Sequence, residues 1–144
     1  MTNRSDRSYP AFPLLAVSAA IWSGDKVLLT RRAKKPAKGL WSLPGGLVHA
    51  GETLAEAAQR ELDEEAGISA CLDRVADWAE VIVRDGAGDV STHYVIAMFV
   101  GTWISGALRA GDDADEAQWF SPQQFDEIEM TPGTAERILR HKPA

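Results

Sequence analysis

The sequence predicts one α+β domain, and three observations carry that prediction. An apolar run over 12–21 and a second over 26–32 flank Gly24-Asp25, the pattern of two strands joined by a tight turn. A capped amphipathic helix follows, starting near Leu54 and ending at Gly67. Two long segments rich in Val, Ile, Tyr and Trp, 72–84 and 92–102, then read as strands. At 144 residues the chain has length for one domain with a real core, and no internal repeat or linker divides it.

Residues 1–9 are polar and read as a loose tail, with the folded domain expected over 10–142. Arg4 and Arg7 precede the apolar run, as in a secretory leader, but that run reads better as the first buried strand. Arg31 to Gly39 is a basic loop in an otherwise acidic chain, and its Lys34 and Lys35 read as solvated. Arg31 and Arg32 end a strand leading to the candidate site, so either can meet phosphate as a bidentate partner. Trp41 reads as packing. Residues 85–89 form a hairpin loop between the long strands; His93 and Tyr94, just beyond it, read as structural. A loop over 106–116, loaded with acids, precedes a short strand at 117–120. Ser121-Pro122 opens a helix, and Thr131-Pro132 opens the last one, with Ala135, Ile138 and Leu139 facing inward.

Composition is that of a water-soluble globular chain: 45% hydrophobic and 25% charged, with net charge −6. That charge argues against a nucleic-acid binder relying on phosphate contacts. No run reaches membrane-span length. The single cysteine, Cys71, excludes an internal disulfide and fits a reducing cytoplasm; it reads as a small apolar residue at a strand start.

The chemistry concentrates in residues 46–68. Thr53 and Glu56 form a capping box, and Ala55, Ala58, Leu62 and Ala66 fall on one stripe at 100° per residue. Glu61, Glu64 and Glu65 share an adjacent face. Like charges at these spacings destabilise a helix by roughly 0.2–0.5 kcal/mol per pair. Three carboxylates beside a glycine turn suit hard divalent cations, which take oxygen ligands.

The stretch fits G-x5-E-x7-R-E-U-x-E-E-x-G-U, U being a bulky aliphatic, at all nine specified positions: Gly46, Glu52, Arg60, Glu61, Leu62, Glu64, Glu65, Gly67 and Ile68. This resembles the signature box of the Nudix hydrolases, which cleave a nucleoside diphosphate linked to another group. Segments 28–32, 39–46, 93–96 and 109–120 are similar to the ADP-ribose pyrophosphatase-like branch. The resemblance implies a mixed sheet between helices (an α/β/α sandwich), a Mg²⁺ cofactor that Mn²⁺ can replace, and a small nucleotide substrate. It implies that Glu61, Glu64 and Glu65 ligate metal with the Gly45 carbonyl, and that Arg60 and Glu52 orient the helix. The general base is a box glutamate, Glu61 or Glu64, or a loop acid, Asp112 or Asp113. His49 stands where that branch often has an acid. A triphosphate-cleaving enzyme and a non-catalytic nucleotide sensor are the alternative readings, and a homodimer is left open.

Overall fold

The computed structural model describes residues 7–34 and 37–143, so most of the expected tail and Lys35 lie outside the described residues. In chain order the elements are β1 (Leu14–Ser23), β2 (Lys26–Arg32), β3 (Trp41–Ser42), β4 (Gly45–Leu47), α1 (Leu54–Ala66), β5 (Ser69–Arg84), β6 (Val90–Ser105), β7 (Ala114–Phe120), a 3-10 helix (Pro122–Glu127) and α2 (Thr134–Arg140). The strands make one mixed sheet of order β3-β2-β1-β6-β5, with β4 added on β1 and β7 on β2. β1 and β6 run parallel from Leu14 opposite Tyr94 to Trp22 opposite Thr102; the other named pairs are antiparallel.

Side chains alternate across a strand, so the near-continuous apolar runs of β1 and β2 fill two cores at once. Val17, Ala19, Ile21, Leu28 and Phe99 pack under α1. Ala20, Trp22, Leu29, Met98 and Val100 face the other way, toward Phe125 of the 3-10 helix and Ile138 of α2. The sheet is thus held between helices, as the resemblance implies. Trp41 is in this second core, edge-on to Phe120 with ring centroids 4.9 Å apart.

α1 begins and ends where the sequence places it. The Thr53 side chain accepts from the Glu56 N–H, the Glu56 carboxylate accepts from the Thr53 N–H, and Gly67 closes the helix at φ 71°. Its buried arc is turned from the expected stripe. Ala55 is exposed, and Ala57 takes its place beside Ala58, Leu62 and Ala66. The reason lies in β4, which the sequence reading treated as a loop. Because β4 pairs with β1, it draws the Glu61–Glu65 side of the helix down toward the sheet.

Other boundaries move. The long strands run 16 residues each, further than expected, because each ladders on the other nearly to its ends. The segment opened by Ser121 is a 3-10 turn, with the Gln124 side chain accepting from the Ser121 N–H at 2.8 Å. α2 starts at Thr134, after Gly133 in the left-handed region at φ 75°. So short a helix touches the sheet along one narrow stripe, Ala135 and Ile138, and Leu139 is left 48% exposed rather than inward. Cys71 lies near the start of β5, as expected, and is exposed there. Tyr9, the last residue of the expected tail, is tied down: its N–H donates to the Ser91 carbonyl at 3.0 Å and its hydroxyl to Asp85 at 2.9 Å.

Candidate active site

Residues 45–65 fold back on themselves around one guanidinium. Arg60 Nε donates to Glu52 Oε2 at 2.7 Å and Nη2 to Glu52 Oε1 at 3.0 Å, a bidentate pair. Nη2 also donates to the Leu47 carbonyl at 2.9 Å, and Nη1 to Glu61 at 2.7 Å and Glu64 at 3.2 Å. The His49 N–H donates to the same Glu52 carboxylate at 2.8 Å. One side chain therefore ties α1 to the strand and loop before it. The Arg60 guanidinium, then the His49 N–H, hold the Glu52 carboxyl down at about 2.

The glycines let this happen. A Cβ on Gly45 would collide with the Val17 carbonyl of β1, and one on Gly46 with the Glu61 carboxylate. The Gly45 N–H donates to Glu65 Oε2 at 2.9 Å. Glu65 is 8% exposed, and its carboxyl is pushed up to about 8, first by burial and then by the charges of Glu61 and Asp113 against the help of Gly45. Burial also raises Glu61, with Arg60 opposing. An all-oxygen donor set with one buried carboxylate fits a hard divalent cation, which would reverse the Glu65 shift. Among the described residues no three acidic, His or Cys side chains yet close around one point. Arg60 Nη1 instead draws Glu61 and Glu64 to itself.

Beside the helix lies a cleft of about 720 Å³. Gly45, Gly46, Glu65 and Asp113 line one part of it, and the β5–β6 ribbon, including Tyr94, lines another. The acidic loop reaches it because it packs on α1: Arg109 N–H donates to the Ala66 carbonyl at 2.9 Å, and a Cβ on Gly111 would meet the Glu64 carbonyl. The two candidate acids then part. Asp113 lines the cleft, raises Glu61 and Glu65 by its charge, and pairs with Lys34 Nζ at 2.8 Å. Asp112 occupies the turn at φ 50° and is exposed.

The two arginines part as well, across a register shift in the β2–β7 ladder. Arg32 lines the cleft, and its charge lowers Glu65. Arg31 is held by Asp115 at 2.7 Å and Glu116 at 3.4 Å, over the Trp41 ring. Sequence reading missed Thr134 and Arg137 on α2, which line the cleft, and set Tyr94 aside. No spacing rule links α2 to the glycine loop; only the folded sheet brings them together.

A mixed sheet between helices, with an acidic helix face clamped by an arginine beside a cleft, defines a class of small α/β/α domain with its carboxylates gathered next to a glycine strand. The NUDIX domain model matches residues 13–141, and the chain belongs to that family. It is 39% identical over 108 residues to an ADP-ribose pyrophosphatase of Methanocaldococcus jannaschii, covering 75% of this chain and 62% of that one. It is 31% identical over 100 residues to an 8-oxo-dGDP phosphatase of Mus musculus, covering 67% of this chain and 28% of the relative. The chain thus spans less than two thirds of either relative. Among solved structures, a MutT NUDIX hydrolase from Burkholderia pseudomallei superposes with TM-score 0.73 at 28% identity, over 90% of this chain and 98% of that one.

Proposed function

We propose that the protein is a Mg²⁺-dependent pyrophosphohydrolase of the cell interior, with Mn²⁺ able to substitute. It cleaves the diphosphate linkage of a nucleoside diphosphate conjugate, ADP-ribose or a similar sugar conjugate, to a nucleoside monophosphate and a phosphorylated group. The observation that carries this is the buried Glu65 carboxylate, bonded to Gly45 and set beside Glu61 at the cleft. The likeness to an ADP-ribose pyrophosphatase supports the substrate class.

Glu61, Glu64, Glu65 and the Gly45 carbonyl would hold the metal. Bound there, it would neutralise diphosphate charge and acidify a water. Arg60 fixes the rotamers of Glu61 and Glu64, while Glu52 fixes Arg60. Arg32 sits where it can pair with a substrate phosphate. Asp113 is our choice for the proton acceptor from the attacking water, since it lines the same part of the cleft as Glu65 and its charge reaches Glu61 and Glu65, whereas Asp112 serves the turn. Excess chelator should abolish activity, and Mg²⁺ or Mn²⁺ should restore it; full turnover in chelator would exclude the assignment. A second reading, sanitising of oxidised nucleotides, has the 8-oxo-dGDP phosphatase likeness in its favour. Product identity from a panel of conjugates and triphosphates separates the two.

A further inference from the structure

β5 is the last strand of the sheet, and among the described residues no other strand pairs with its outer edge. An open edge is a template for a further strand. Its distal half is also apolar on the outside: Val81 is 37% exposed, Ile82 and Val83 49% each. Nearer the core the strand is already engaged, since Asp77 accepts from the Trp78 N–H and pairs with Arg140 and His141. The remaining exposed stretch is Glu80-Val81-Ile82-Val83-Arg84, whose Arg84 guanidinium donates to the Gly88 carbonyl at 3.0 Å and whose Val83 carbonyl accepts from the Ser91 hydroxyl at 3.1 Å, both within the β5–β6 hairpin.

That stretch is complementary to itself. A two-fold axis perpendicular to a sheet pairs residues of like parity, so few antiparallel registers are open. Centred on Ile82, the pairing sets Val81 against Val83 of the second copy and Glu80 against its Arg84, twice over. Centred on Glu80, it opposes two Glu80 carboxylates. Centred on Val81, it opposes Asp77 and Asp85. Like charges directly opposite are unfavourable and unlike ones favourable. Edge charges ordinarily keep strands apart; here the two signs are spaced so that a second copy cancels them.

We propose that β5 pairs antiparallel with β5 of a second copy of this chain about a two-fold axis at Ile82, forming an isologous dimer with one sheet running through both subunits. The inference rests on the strand alone, not on the hydrolase reading. Residues 79–83 also line the cleft, so the second copy stands at its rim.

The test is the solution mass of the full chain by sedimentation or light scattering, with thermal melting as the check on folding. Wild type should show twice the 15.6 kDa chain mass at micromolar concentration. Glu80→Arg and Arg84→Glu should each weaken association by about tenfold or more, because two attractive pairs become repulsive. The double exchange E80R/R84E should restore it. Ile82→Lys should give a folded monomer. A monomeric wild type, a dimer that persists in folded Ile82→Lys, or single variants that weaken association with no rescue in the double exchange would each overturn the proposal.

Discussion

Glu65 has two constraints that conflict in the metal-free chain. Its place on α1 buries it, and burial beside Glu61 and Asp113 raises its carboxyl to about 8 from an ordinary 4.5. The folded state therefore holds a proton that the unfolded state releases, and stability falls as pH rises from about 4.5 through 8. Melting temperature measured across that range without metal should decline, and the decline should flatten in Glu65→Gln. Mg²⁺ should raise the wild-type value most at the alkaline end and leave the Gln variant nearly unmoved. A flat wild-type profile would mean that Glu65 is not the buried acid described. At the same scale, Asp113→Asn should lower kcat by about 10²–10⁴ with metal affinity nearly unchanged, as loss of a general base does, while Asp112→Asn should be close to silent. Equal losses in both would return the loop to a merely electrostatic role.

At the scale of elements, α1 was the most legible part of the chain. Its cap, its end at Gly67 and its acid face follow from 3.6-residue spacing and from Thr53 and Gly67. What spacing could not supply was its rotation about its own axis. That depends on β4 lying against β1, and a three-residue strand of two glycines and a leucine has no periodicity to read. Hence Ala57 was missed and Ala55 wrongly placed inward. The same blindness covers α2, where Leu139 passed as core because the start at Gly133 was not visible. Thr53→Ala tests the helix directly. Loss of the cap should cost about 0.5–2 kcal/mol in urea unfolding, with kcat at saturating Mg²⁺ unchanged, since the cap lies at the far end from Glu64 and Glu65. Asp63→Asn should likewise leave kcat alone, whereas Glu64→Gln should lower it by at least about 10².

At the scale of the whole molecule, the cleft is assembled from parts distant in sequence: the glycine strand, the helix, the acidic loop, the β5–β6 ribbon and α2. The box showed the helix and the glycines, though as a turn rather than a strand; the acidic loop was named as a candidate, but its docking on α1 through Arg109 and Gly111 is a tertiary fact. α2 in turn is fastened to β5 by Asp77, which meets Arg140 at 2.7 Å and His141 at 3.1 Å. Burial opposes ionisation of Asp77, but the Trp78 N–H, His141 and Arg140 together hold its carboxyl below the ordinary 3.8. The stability this adds is present above that value and is lost as pH falls through the lower folded one. Asp77→Asn should therefore lower the melting temperature at pH 7, and the gap to wild type should close in strong acid.

The proposed activity requires that the carboxylates of α1 serve hydrolysis of a diphosphate link. It is tested most directly by incubating the chain with ADP-ribose and Mg²⁺ and identifying products by mass, with Glu64→Gln in parallel. The expected result is AMP and ribose 5-phosphate from wild type, at a rate at least about 10²-fold above the variant. Wild-type rates in folded Glu64→Gln, or no cleavage of ADP-ribose or of any other nucleotide conjugate tried beside it, would contradict the claim.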